Sequence, residues 1–95
     1  MSSSALEELQ AVACDVHVTD DELVVSLADG RRVSAPLVWF PRLLHASPEA
    51  RADWRLIGDG IGIHWSQIDE DISVKGLLRG VPSIEFKPSG GRDAQ

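Results

Sequence analysis

The side chains best equipped for chemistry are His64 and the run Asp69-Glu70-Asp71. An imidazole and several carboxylates can ligate a divalent cation, and a ligated cation can activate water. One functional reading is therefore a metal-assisted hydrolase using His64, Asp69, Glu70 and Asp71. Two features count against it. In a strand His64 alternates to the face opposite Trp65, and the acidic run lies beyond an intervening turn, so spacing does not force the ligands to converge. Ser66-Gln67-Ile68-Asp69 also has capping-box spacing, which assigns the acids to the positive end of a helix, worth a few tenths to about 1 kcal/mol. No defined ligand pattern is present, so no metal and no cofactor is expected.

Other candidates have plainer explanations. Gly58-x-Gly60-x-Gly62 could suggest a phosphate cradle, but it lies between two strand patterns rather than before a helix, which points to a hairpin. A single cysteine, Cys14, cannot close an internal disulfide and fits a reducing compartment. Its neighbours Val12, Ala13 and Val16 place it inside a strand, and the expectation is a buried thiol. His17 falls on an exposed strand face. His45 ends a helix, where a donor or positive charge satisfies terminal carbonyls. There is no serine elbow, phosphate loop or paired-cysteine motif, so the balance is against an enzyme.

Tryptophan and arginine form a second group: Trp39, Arg42, Trp54, Arg55 and Trp65, with Phe40 among them, in a chain of five aromatic residues. Both types are favoured at interaction surfaces, whereas a small domain also needs large rings to fill its core. At least two of the three tryptophans are assigned to the core. Trp39, between Pro36 and Pro41, is the exception placed near the surface. The candidate partner-binding residues are thus Trp39, Arg42, Arg55, Asp69, Glu70 and Asp71.

The elements that must position these residues follow from periodicity. Val12, Cys14, Val16 and Val18 alternate along a first strand, Leu23, Val25 and Leu27 along a second, and Val33 and Ala35 along a third. Thr19-Asp20-Asp21 and Asp29-Gly30 supply tight turns, which predicts an antiparallel meander. Pro36 and Pro41 interrupt ladder pairing, after which Phe40, Leu43 and Leu44 take helical spacing. Ser47-Pro48-Glu49 starts another short helix that ends near Asp53. Trp54–Ile57 and Ile61–Trp65 flank Gly58-Asp59-Gly60 as a later hairpin, and Val74, Leu77 and Leu78 lie on a helix around Ser73–Arg79. The prediction is an α+β domain in which both hairpins share one largely antiparallel sheet, with two or three short helices on one face. Residues 11–81 form it, between a flexible lead-in (1–10) and a flexible tail (82–95).

Ninety-five residues suit one domain, and 43% hydrophobic with 25% charged residues is ordinary globular composition. No apolar run approaches the roughly 18 residues of a membrane span, and acids occupy the N-terminus where a signal peptide is basic. A cytoplasmic location is expected. Fifteen acids against nine bases leave a net charge of −6, which disfavours direct nucleic-acid binding and is compatible with a basic protein partner.

Three segments carry a family resemblance. Trp65 to Leu78 reads W-S-Q-I-D-E-D-I-S-V-K-G-L-L, Leu27 to Arg31 contains L-x-D-G-R, and Pro36 to Ala46 is followed by E-A-R-A-D-W-R. Together they resemble a small bacterial family known as domain of unknown function 2442, apart from Ser66, where relatives often have proline. The resemblance implies a shared architecture and no established reaction. It also implies a partner, because members are often encoded beside a small protein in pairs of the toxin–antitoxin kind. Some members carry a helix-turn-helix domain, a motif not seen in this sequence. The reading is a non-catalytic protein-binding module, the antitoxin-like member of such a pair, masking a small, basic, toxin-like protein encoded nearby. Self-association stays open, and DNA contact would require the partner.

Overall fold

A computed structural model describes residues 11–87. The predicted lead-in 1–10 and residues 88–95 of the predicted tail lie outside the described residues. Strands β1 (Ala13–Val18), β2 (Glu22–Leu27) and β3 (Arg32–Pro36) form an antiparallel sheet in the order β1-β2-β3. Period-two alternation turns Leu23, Val25 and Leu27 inward, where they are buried. Short polar turns set the register. The Thr19 hydroxyl accepts hydrogen bonds from the Asp21 and Glu22 amides, and the Asp29 carboxylate accepts from the Arg31 amide and guanidinium.

Strand β1 departs from the predicted alternation. Ala13 pairs with Leu27 and Asp15 with Ser26, so Cys14 is an extra residue in the ladder, a β-bulge. The bulge turns Ala13 inward and leaves Cys14 exposed, which corrects the expectation of a buried thiol.

Beyond Pro36 the chain makes a 3-10 turn at Leu37–Trp39, then the short helices α1 (Pro41–Leu44) and α2 (Pro48–Ala52). Proline leads both helices, and the Ser47 hydroxyl caps α2 by accepting from the Ala50 amide at 3.1 Å. Next come β4 (Trp54–Ile57), a 3-10 turn at Gly58–Gly60, β5 (Gly62–Trp65), β6 (Glu70–Ser73) and helix α3 (Val74–Arg79). The later hairpin is present, but it belongs to a second antiparallel sheet ordered β4-β5-β6. The prediction of one shared sheet is therefore corrected: among the described residues, two three-stranded sheets with three short helices make up the α+β fold. The break falls where two prolines remove ladder donors and helices carry the chain away from β3.

The same region corrects the capping-box reading. Ser66–Asp69 is a turn with Asp69 in the left-handed region (φ 53), and Glu70 and Asp71 lie in strand β6. Ser73 starts α3, its hydroxyl accepting from the Gly76 amide at 2.9 Å, and Gly80 ends it at φ 76.

One core joins the layers. Leu23, Val25, Leu37, Leu43, Ile63, Trp65 and Val74 are its largest fully buried side chains, with Trp39 and Trp54 partly buried against it. The Trp65 indole N–H donates to the Arg51 carbonyl at 3.0 Å, so its polar atom is satisfied in the interior. Where the sheets meet, Gly60 adopts φ 98, and a side chain there would stand 2.6 Å from the Ala13 carbonyl oxygen. Only glycine fits both demands.

Residues 82–87, assigned by sequence to the flexible tail, make defined contacts. The Ser83 amide donates to the Trp39 carbonyl, and the Phe86 ring lies 6.5 Å from that of Trp39. Their apolar members Ile84 and Phe86 distinguish them from the polar stretch that follows. Among the described residues no helix is long and apolar enough to cross a membrane.

Candidate functional site

The β5–β6 register brings His64 opposite Asp71, and their side chains meet at 2.5 Å between Nδ1 and Oδ1. Sequence spacing alone implied no such convergence; the tight turn at Ser66–Asp69 folds the two positions together. Arg55 is paired with His64 across β4, so Arg55, His64 and Asp71 form a row on the outer face of the second sheet. The Arg55 guanidinium also donates to the Ser66 hydroxyl at 3.3 Å.

The other two acids go elsewhere. Asp69 occupies the turn, where its main-chain carbonyl accepts from Arg42 Nη1 at 2.8 Å. Glu70 alternates away from Asp71 to the face that carries buried Ile72. Partial burial raises its carboxyl pKa above the ordinary 4.5, an effect opposed by the Arg42 charge. The triplet is thus split between one sheet face, the other face and a turn. Among the described residues, no three His, Cys, Asp or Glu side chains come together to hold a metal ion.

Arg42 is an internal clamp rather than a free contact. Its Nε and Nη2 each donate to the Glu85 carboxylate at 3.1 Å, while Nη1 holds the Asp69 carbonyl. The helix α1, the β5–β6 turn and the C-terminal segment are joined through this one side chain. Trp39 is likewise partly covered, by Phe86 and by the hydrogen bond from Ser83. Sequence reasoning missed Glu85, Val81 and Ile84. The available signal was the apolar set Val81, Ile84 and Phe86, which marks a segment with something to pack.

Two of the three acids, Glu70 and Asp71, line a groove of about 290 Å³. One wall is the whole of β6, Glu70 to Ser73. Opposite stand Leu77 of α3 and the segment from Val81 to Ile84, and Phe40 also contributes. Val81 is 54% exposed and Ile84 99%, so the far wall presents apolar surface to solvent. A second cavity, of about 500 Å³, lies between β1, α2 and Trp54. Arg51 is the cation there, and its donors are engaged by Asp20 and by the carbonyls of Leu43 and Leu44.

Two solved structures resemble this fold. A protein of unknown function from Rhodospirillum rubrum aligns with a TM-score of 0.65 at 25% identity, covering 83% of this chain and 93% of its own. An uncharacterized protein from Chromobacterium violaceum aligns with a TM-score of 0.68 at 25% identity, covering 88% of this chain and 82% of its own. Among curated proteins, none matches the chain. The family described as "Protein of unknown function (DUF2442)" matches residues 13–83, a span that takes in both sheets, all three helices and the start of the segment lining the groove, and this chain belongs to it.

Proposed function

We propose that the domain is a non-catalytic protein-binding module, antitoxin-like in role, that receives a basic region of a small partner protein at the groove beside β6. The observation that carries this reading is the placement of Glu70 and Asp71 on the wall of a groove whose other side offers Leu77, Val81 and Ile84. Apolar surface supplies burial and carboxylates select a cationic partner. The net charge of −6 favours encounter with the same kind of partner. The competing reading, a metal-assisted hydrolase at His64, has a His64–Asp71 pair but, among the described residues, no third ligand beside it.

The test is complex formation with the product of the adjacent reading frame, followed by gel filtration and by association kinetics at low salt. Glu70→Gln combined with Asp71→Asn should leave thermal stability nearly unchanged, because each amide keeps the shape of the acid it replaces, while the loss of both charges slows association and weakens the complex. If this variant binds as tightly and as fast as the parent, the groove is not the interface.

A further inference from the structure

The groove runs along an open sheet edge, and that determines how a partner can dock. Among the described residues, the order β4-β5-β6 of the second sheet leaves β6 paired on one side only. Consecutive side chains of a strand point to opposite faces, so a cavity above one face would touch alternate residues. The groove instead touches Glu70, Asp71, Ile72 and Ser73 in succession. It therefore meets β6 along its edge, where peptide groups have no strand partner and can template another chain.

Resting on the reading above, we propose that β6 accepts an extended, basic and apolar segment of the partner as a fourth strand of the second sheet. Four residues of β6 offer about 13 Å of edge. Main-chain hydrogen bonds supply affinity in this mode of recognition, and pockets for alternate side chains supply specificity. A segment of alternating character fits both walls. Its cationic side chains, all on one face, meet Glu70, while Leu77, Val81 and Ile84 offer the segment apolar surface. The groove, of about 290 Å³, has room for a few peptide side chains.

The occupant is a peptide of stated charge rather than a second copy of this chain. With a net charge of −6, two copies brought edge to edge would also bring Glu70 and Asp71 of one against the same residues of the other. Like charges set opposite each other in a sheet are unfavourable.

An acetylated, amidated hexapeptide of alternating lysine and valine is the probe, with a glutamate–valine peptide and a backbone N-methylated lysine–valine peptide as controls. Amide hydrogen exchange and chemical shifts would be followed across Glu70–Ser73 as each is titrated to millimolar concentration. The lysine–valine peptide should bind and slow exchange of the outward-pointing β6 amides. Glu70→Lys should weaken it about tenfold, and N-methylation should abolish the protection. Ile84→Ser, a change at a fully exposed position with no fold to lose, should also weaken binding.

Three results would overturn the proposal. One is the absence of binding to millimolar peptide. A second is binding that leaves β6 exchange unaltered or is matched by the glutamate–valine peptide. The third is β6 protection that grows with protein concentration alone, which would make the edge a self-association surface. Should the adjacent-frame protein bind through the groove acids while β6 amides exchange freely, strand addition fails and the binding module stands. Should that protein not bind at all, the module reading fails first.

Discussion

Glu70 shows how one side chain can face two demands. It sits half-buried on the groove wall, and loss of solvation holds its carboxyl above the ordinary 4.5, with Arg42 pulling the other way and Glu85 and Asp71 adding like charge. A raised acid pKa means that the folded state binds protons more readily than the unfolded chain. Its contribution is therefore fully present below the unfolded value and is lost as pH rises through the folded one. We expect Glu70→Gln to flatten this part of the pH–stability curve and to stabilise the domain near neutrality by less than about 1 kcal/mol, since solvent screens the group. Denaturant midpoints for parent and variant at pH 3.5, 5 and 7 check it. A difference that does not grow with pH would assign the groove wall a different electrostatic environment. The acidic triplet was visible as a charge cluster, but the destinations of its three side chains were not, since these depend on a turn and on strand alternation beyond it.

At the scale of elements, local signals are legible in the sequence where they are chemical and less so where they depend on register. Ser47-Pro48-Glu49 forms its helix, Asp29-Gly30 its turn and Ser73 to Arg79 the last helix, because capping oxygens, proline and positive-φ glycine act within a few residues. Strand β1 is the counterexample. Val12, Cys14, Val16 and Val18 alternate as a half-buried strand should, yet the bulge at Cys14 presents Ala13 to the core instead. The hydrophobic pattern contained both registers, and pairing with β2 selected one. A direct consequence is that the native thiol should react with an aromatic disulfide reagent at a rate within about tenfold of the unfolded protein's, and Cys14→Ser should shift stability by no more than about 0.5 kcal/mol. A thiol that reacts only after denaturant is added would show that Cys14, and not Ala13, faces inward.

Across the whole molecule, Arg42 connects parts that sequence analysis treated as separate. One guanidinium ties α1 to the turn before β6 and to Glu85 in the C-terminal segment. Arg42→Ala should release that segment and leave the two sheets in place. In hydrogen exchange the Ser83 amide, bonded to the Trp39 carbonyl, should lose protection by about tenfold while central β2 amides keep theirs. Unaltered protection at Ser83 would mean that packing of Phe86 on Trp39 suffices. Because the segment forms the far wall of the groove, the same variant measures how much of that site depends on long-range contact.

By itself the sequence determined the family, the α+β class, the short helices with their caps and the tight turns. Each of these rests on interactions spanning a few residues or on a motif read directly. Tertiary structure alone decided that the strands divide into two sheets, that His64 meets Asp71, that Cys14 is exposed and that Glu85 closes on Arg42. The last contact joins residues 43 apart, and no local propensity encodes a pairing at that distance. It is set when the core around Trp65 and Leu43 fixes where each surface segment lies.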